Sequence, residues 1–209
     1  MKVKISIPEN LNDITLGQYQ KYFTYIDKLD GDELAIKKIE ILCNLTREQI
    51  LLFQYSEVQR ISNLLDQILD TKPSLIQKFT VADIKFGWLP KLDDMSYGEL
   101  LDLNGNISDW NNMHVSMAVL YRPIKKEAAG LYNIEKYEGA KYHEHIKEMP
   151  LSAVIGALVF FWNLGMDLLK YTVQSLTETE ENRTHLAQNG IGTERLMRSL
   201  EEISQSLKL

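Results

Sequence analysis

The only close pair of histidines in the sequence is His143 and His145, with Glu144 between them and Glu148 after them. Imidazole and carboxylate groups together are common ligands of zinc and di-iron centres. Neither the HExxH spacing nor the Glu-x-x-His pairing of those centres is present. We therefore expect a solvent-exposed polar segment, with no bound metal and no cofactor. A symmetric oligomer that gathers His145 and Glu148 from several chains is the alternative that stays open.

Acidic residues that could serve acid–base catalysis occur at Asn12-Asp13 and Asp93-Asp94. Each pair precedes a predicted helix start, where negative charge is favourable, so a capping role explains both pairs without catalysis. No Ser, His and acid arrangement and no Gly-rich phosphate loop accompanies them. We predict no catalytic residues and a protein that is not an enzyme. An enzyme whose site forms only between subunits is a further alternative.

Basic and aromatic residues alternate at Lys136-Tyr137 and Lys141-Tyr142, a pattern that could stack on nucleic-acid bases. Neighbouring glutamates outnumber these lysines, and the whole chain of 209 residues carries a formal charge of -6. Binding to a phosphate backbone needs clustered Lys and Arg, so we expect no specific nucleic-acid partner. Cys43 is the only cysteine, which excludes an internal disulfide and favours a reducing compartment.

The elements that would position these residues include one segment that the chain contains twice. Residues 3–19 and 84–100 align without a gap and share an alternating stretch followed by a turn and a helix-start pattern. We call them the first and second copy. The residues that carry the repeat are Asp13, Thr15, Gly17 and Gln18 in the first copy and Asp94, Ser96, Gly98 and Glu99 in the second. The repeat indicates a shared architecture, not a shared chemistry.

Each copy contains the spacing of a capping box, in which two side chains satisfy the free amides of a helix start. Thr15 lies three residues before Gln18, and Ser96 lies three residues before Glu99. Thr46-Arg47-Glu48-Gln49 repeats the pattern, and apolar residues flank all three boxes as a hydrophobic staple requires. These patterns predict three helix starts.

The alternation at residues 2–7 and 84–88 predicts a strand at the start of each copy. We expect these strands to pair with each other, or each with a neighbouring subunit. Apolar residues at helical spacing predict three further helices. Their stripes are Ala35, Ile39, Leu42 and Cys43, then Val58, Ile61, Leu65 and Ile68, and then Met113 to Tyr121, which is expected to stop at Pro123. The predicted fold is mainly α, a helical bundle with a small two-stranded β element formed by the duplicated strand-turn-helix segments.

Two halves are predicted, although they could form one compact domain. Residues 1–72 form an N-terminal helical half with a leading strand, and residues 73–209 form a second, repeat-like half. The second half contains an uncharged run at residues 151–166, which is shorter than the about 20 residues of a bilayer span and predicts a buried central helix. A terminal amphipathic helix is expected to face a partner or the core through Leu196, Leu200, Ile203 and Leu207.

The phrases IPENLNDITLGQYQKY, LPKLDDMSYGELLDLNGNISDW and MAVLYRPI resemble small virion-associated or tail-assembly proteins of tailed bacteriophages, notably the crAss-like phages of gut Bacteroidetes. The resemblance covers residues 5–125 and contains no catalytic signature. It implies an α-rich protein that is made in the bacterial host cytoplasm and incorporated in the virion. It would be packaged cargo released into the host, or a structural component docked on head, portal or tail proteins in multiple copies. The alternative is a tail-assembly chaperone that is absent from the mature virion.

Overall fold

The computed structural model describes the chain from residue 6 to residue 177, with side chains as far as residue 168. Within that range the protein is an α+β fold with eight α-helices and one four-stranded antiparallel sheet. The helices are α1 (Leu16–Ile26), α2 (Gly31–Leu42), α3 (Arg47–Ile50), α4 (Tyr55–Leu69), α5 (Tyr97–Asn106), α6 (Met113–Leu120), α7 (His143–Lys147) and α8 (Leu151–Thr177). The strands are β1 (Lys78–Val81), β2 (Ile84–Trp88), β3 (Tyr121–Ala128) and β4 (Leu131–Ile134).

The predicted helical bundle with a two-stranded element is wrong. The strand of the second copy is present as β2, but its partners are β1 on one side and β3 on the other. The two copies therefore do not pair through β2, whose two edges are both occupied. In the first copy, Ser6 and Ile7 are not in a strand, and residues 1–5 lie outside the described residues.

The sequence pattern did not predict this sheet, in part because strand β3 begins directly where helix α6 ends. The stripe from Met113 to Tyr121 has helical spacing, but α6 ends at Leu120 and β3 begins at Tyr121 without a connecting loop. Pro123 lies inside β3, opposite Phe86 of β2. Tyr121 is therefore a strand residue whose position happens to continue the helical pattern.

Both hairpins of the sheet have two-residue turns with left-handed backbone. Ala82 and Asp83 connect β1 to β2 with φ values of 47° and 63°. Ala129 and Gly130 connect β3 to β4 with φ values of 50° and 80°. Positive φ at both turn positions matches the right-handed twist of the paired strands, as in type I′ hairpins.

An aromatic cluster covers the helix-facing part of the sheet around Tyr121, which is fully buried. Its ring centroid lies 5.0 Å from that of Phe79 and 5.1 Å from that of Trp88. The Tyr121 hydroxyl donates to the Ile76 carbonyl at 2.7 Å, so the buried polar group has a partner. These contacts join β1, β2 and β3.

The N-terminal helices bury the apolar stripes that the sequence predicts on α2 and α4, including Ile39, Ile61 and Leu65. Lys38 of α2 is also buried, and its Nζ lies 2.5 Å from Asp66 Oδ1 of α4. A buried ammonium group needs such a partner because it has lost its hydration. The ion pair therefore joins α2 to α4 at the edge of their interface, since Asp66 itself is half exposed.

The chain divides into two compact units, one formed by Met1–Lys72 and Ile76–Val154, the other by Pro73–Leu75 and Ile155–Leu209. In the second unit a Cβ atom built on Gly156 would lie 2.5 Å from the Ser74 carbonyl oxygen. The glycine therefore allows an extended backbone segment to approach α8.

Helix α8 includes the apolar run that the sequence places at residues 151–166. Residues 151–158 are all buried, whereas most of residues 159–168 are partly or fully exposed. Within the described part of the chain, the stretch Leu151–Leu168 is long and apolar enough to cross a bilayer, by length and composition alone. Half of it is buried inside the protein, so the burial expected of residues 151–166 holds for the first part of the run only.

Candidate functional site

The capping residues of both copies form the reciprocal hydrogen bonds that their spacing predicts. At α1, Thr15 Oγ1 accepts from the Gln18 amide at 3.2 Å, and Gln18 Oε1 accepts from the Thr15 amide at 2.9 Å. At α5, Ser96 Oγ accepts from the Glu99 amide at 3.3 Å, and Glu99 Oε2 accepts from the Ser96 amide at 2.6 Å. A short 3-10 turn precedes each cap, Leu11–Asp13 in the first copy and Leu92–Asp94 in the second. The two copies thus have the same local structure from this turn onward.

The third residue of each helix also binds a second element. Gln18 Nε2 donates to the Ile41 carbonyl of α2 at 3.1 Å. Glu99 Oε1 instead forms an ion pair with Arg122 Nη1 of β3 at 2.8 Å. Each capping box therefore fixes the position of its helix in the fold as well as its first turn.

The acidic residues of the two turns differ in what they bind. Asp13 accepts from the amides of Glu9 and Asn10 at 2.9 Å and 3.3 Å, and so closes the first turn. Asp94 is exposed, and its carboxylate has no hydrogen-bond or ion-pair partner among residues 6–168. Lys91 stands where the first copy has Asn10, so the second turn lacks the side-chain cap of the first.

The first copy is covered by the connection between α7 and α8. The Leu16 amide donates to the Met149 carbonyl at 2.9 Å, and the Leu151 amide donates to the Ile14 carbonyl at 2.8 Å. These two bonds form an isolated antiparallel bridge in which Thr15 lies opposite Pro150. Leu16 is fully buried as a result.

Gly17 lets this connection approach closely. A Cβ atom at that position would lie 3.2 Å from the Lys147 carbonyl oxygen. At the equivalent Gly98 of the second copy, a Cβ atom would meet nothing within 4 Å. The second copy therefore keeps the glycine without the covering segment.

The second copy exposes three apolar residues at the start of its helix, whereas Leu103 of the same helix is buried. Tyr97 is 76% exposed and Leu101 is 55% exposed, and Leu100 beside them is also exposed. Residues at these spacings lie on one side of a helix, so the three side chains form one surface, which we call the α5 face. Tyr97 is the counterpart of the fully buried Leu16. The α5 face is the first candidate functional site.

The second candidate is a cleft of about 710 Å³ beside the ion pair of Glu99 and Arg122. Both side chains are largely buried, and Arg122 Nε is buried without a hydrogen-bond partner among the described residues. Tyr137 also lines the cleft and donates to Asp102 Oδ2 at 2.9 Å. Burial raises the pKa of Tyr137, so its hydroxyl stays protonated. The cleft thus holds one buried charge pair and one protonated phenol, and the exposed carboxylate of Asp94 lies at its edge.

Sequence reasoning did not find Arg122 or the α5 face. Arg122 lies between apolar strand residues, and its pairing with Glu99 depends on contacts that spacing along the chain does not show. Tyr97, Leu100 and Leu101 carry the expected helical pattern, but the pattern alone does not tell whether the face is covered. A second group of exposed apolar residues lies where α3 meets α4, at Leu51, Leu52 and Tyr55.

His143 and His145, the close pair of histidines in the sequence, have different surroundings in the fold. His145 is exposed, whereas the His143 ring packs against that of His114 with 5.7 Å between centroids. Among the described residues, no group of three or more His, Cys, Asp or Glu could hold a metal ion. The predicted partner-facing residues Leu196, Leu200, Ile203 and Leu207 lie outside the described residues.

Within residues 6–168, the geometry thus offers an apolar face of α5 that no other described segment covers, and a cleft beside a buried ion pair. The uncovered face differs from an ordinary exposed helix because the same segment is covered elsewhere in the chain. Comparison of the chain with protein-family models, with curated proteins and with solved structures found no match.

Proposed function

We propose that this chain is a non-enzymatic protein of a tailed-phage virion, present in multiple copies as packaged cargo or as a structural component. It docks on head, portal or tail proteins and associates with itself. It is made in the host cytoplasm and resides in the virion. The proposal includes no cofactor, no specific nucleic-acid partner and no stable membrane span.

The α5 face is the observation that carries this proposal. Tyr97, Leu100 and Leu101 expose apolar area on a helix whose start is fixed by a capping box and by the Glu99–Arg122 ion pair. Water-exposed apolar side chains that are grouped on a rigid element are typical of protein-interaction surfaces. The exposed Leu51, Leu52 and Tyr55 supply a second such surface. The phage setting comes from the resemblance of residues 5–125 to virion-associated proteins.

The contacts that Glu99, Arg122 and Tyr137 make in the cleft support a role without catalysis. Arg122 is neutralised by Glu99, and the Tyr137 hydroxyl is engaged by Asp102. A catalytic site needs a base or nucleophile within reach of a reacting group. Glu99, Arg122 and Tyr137 are instead engaged in contacts within the fold, which is a structural arrangement.

Mass spectrometry of purified phage particles tests the proposal. We expect the chain in mature particles at several copies per particle. A phage replication protein made during the same infection serves as the control for contamination by host lysate. Absence of the chain from particles, together with its presence in infected cells, would refute the virion assignment and support the tail-assembly chaperone.

A further inference from the structure

We propose that the start of α5 binds an extended segment of a partner protein, in the way that the start of α1 binds residues 149–151 of its own chain. The proposal rests on the proposed function, because it names the kind of segment that a docked partner would supply. The observations are the backbone of the two copies, their glycines, and the charges beside them.

The first copy shows what such a segment does. Met149 and Pro150 end the connection between α7 and α8, and Leu151 is the first residue of α8. Around the single bridge of Pro150 with Thr15, this backbone runs antiparallel to residues 14–16, and the two hydrogen bonds involve the residues on either side of Pro150. Pro150 itself is in a position that donates no hydrogen bond to the facing chain, so its missing N–H costs nothing. Met149 and Leu151 are both fully buried.

The second copy presents a similar backbone that no segment of residues 6–177 occupies. Met95 and Ser96 are extended with ψ values of 134° and 161°, compared with 130° and 156° at Ile14 and Thr15. Their φ values are -65° and -69°, compared with -110° and -87°, so the two copies differ most at Met95. The Met95 carbonyl and the Tyr97 amide are the counterparts of the two groups that bind residues 149–151. Neither group has a hydrogen-bond partner within the part of the chain that the structure describes.

Gly98 gives independent support. A glycine within a helix lowers helix stability by about 0.5–1 kcal/mol relative to alanine. In the first copy Gly17 has a use, since the Lys147 carbonyl approaches it closely. At Gly98 the corresponding space is open, so the backbone of a segment from a partner has room to approach the helix there.

The charges beside the site indicate the chemistry of the occupant. In the first copy, Ser152 Oγ donates to Asn12 Oδ1, just beyond the bridge. The counterpart of Asn12 is Asp93, an exposed carboxylate next to Asp94, and neither forms an ion pair among the described residues. A complementary segment therefore has a basic residue where the first copy has Ser152. The occupant is an extended segment with two apolar residues flanking a central residue, followed by a Lys or Arg.

Nuclear magnetic resonance of the ¹⁵N-labelled full chain tests this binding, because it detects weak association residue by residue. The probe is a synthetic peptide with the sequence of residues 147–153 carrying Ser152→Lys. We expect saturable shifts of the Tyr97 and Gly98 amides. The same peptide with Ser152→Glu should bind at least several-fold more weakly at low salt, because it faces Asp93 and Asp94.

Two glycine variants provide a matched pair. Gly98→Ala places a methyl group in the path of the segment and should weaken peptide binding, measured from the Tyr97 shift, several-fold. Gly105→Ala lies in the same helix, also meets nothing within 4 Å, and should leave the shift unchanged. The amide spectra of both variants report whether they remain folded.

Three results would overturn the proposal. One is equal peptide binding by Gly98→Ala and Gly105→Ala, and another is peptide-induced shifts at Leu16 in place of Tyr97. The third is concentration-dependent shifts at Tyr97 without peptide, which would identify a second copy of this chain as the occupant. Absence of the chain from phage particles would refute the virion assignment alone, so the two failures are distinguishable.

Discussion

Glu99 and Arg122 form an ion pair with 2.8 Å between Oε1 and Nη1, and their side chains are only 10% and 9% exposed. The other carboxylate oxygen of Glu99 accepts from the Ser96 amide. Burial lowers the pKa of Arg122, and the charge of Glu99 opposes that effect. One carboxylate thus joins the first turn of α5 to the centre of the sheet.

We predict that Arg122→Met lowers the free energy of unfolding by about 3 kcal/mol, because it leaves the Glu99 carboxylate buried without its counter-charge. Urea denaturation measures the change. The control is Arg60→Met, which removes the exposed pair with Glu57 and should cost less than about 1 kcal/mol. Equal losses in the two variants would contradict a structural role of the buried pair.

Alanine at the two repeated glycines should have unequal effects. Gly98→Ala should raise the free energy of unfolding by about 0.5 kcal/mol, because the added methyl group meets nothing and the unfolded chain loses freedom. Gly17→Ala should give no such gain, since its Cβ would crowd the Lys147 carbonyl oxygen at 3.2 Å. Thermal unfolding compares the two. A similar increase in the stability of both variants would show that the segment around Lys147 moves to accommodate the methyl group at no cost in free energy.

Stability should fall as the pH is lowered through the range where histidine titrates. Burial lowers the pKa of both His114 and His143 below the ordinary value of 6.5. The unfolded chain therefore binds protons at a pH where the folded chain does not, and protons shift the equilibrium toward unfolding. Urea midpoints at about pH 7.5 and about pH 5.5 measure the loss. A variant with His114→Gln and His143→Gln should lose less stability between these two pH values than the unchanged chain. An equal loss in both would show that other groups cause the pH dependence.

Polar substitutions on the α5 face should reduce incorporation into phage particles and leave the stability of the fold nearly unchanged. Tyr97→Ser with Leu101→Ser should change the free energy of unfolding by about 0.5 kcal/mol or less, because both side chains are exposed. Under the proposed function the variant should be depleted from phage particles, as measured by mass spectrometry. Leu131→Ser is the control, since Leu131 is 79% exposed at a hairpin turn. Normal incorporation of the double variant would remove the α5 face from the docking surfaces.

Local features of this fold were predictable because a few neighbouring residues determine them. The hydrogen bonds of Thr15 with Gln18 and of Ser96 with Glu99 depend on spacing within one turn. The buried stripes of α2 and α4 follow from helical periodicity in the same way.

The sheet was not predictable from the same reasoning. Strands β1 and β4 have only four residues each, and β3 continues directly from α6. The pairing of Phe86 with Pro123 and of Glu99 with Arg122 joins residues distant in the chain, so no local pattern announces either contact. The α5 face was likewise not predictable, because the sequence does not show that residues 149–151 cover the first copy and leave the second copy exposed.

The strand order β1-β2-β3-β4 has a consequence for how the chain folds. The outer pairs are hairpins with two-residue turns, and such local pairs close within microseconds. The central pair, β2 with β3, should form more slowly, because α5 and α6 lie between these strands and the long connection has to bring them together first. The sheet should therefore assemble from its margins inward, with the joining of β2 to β3 as the slow step.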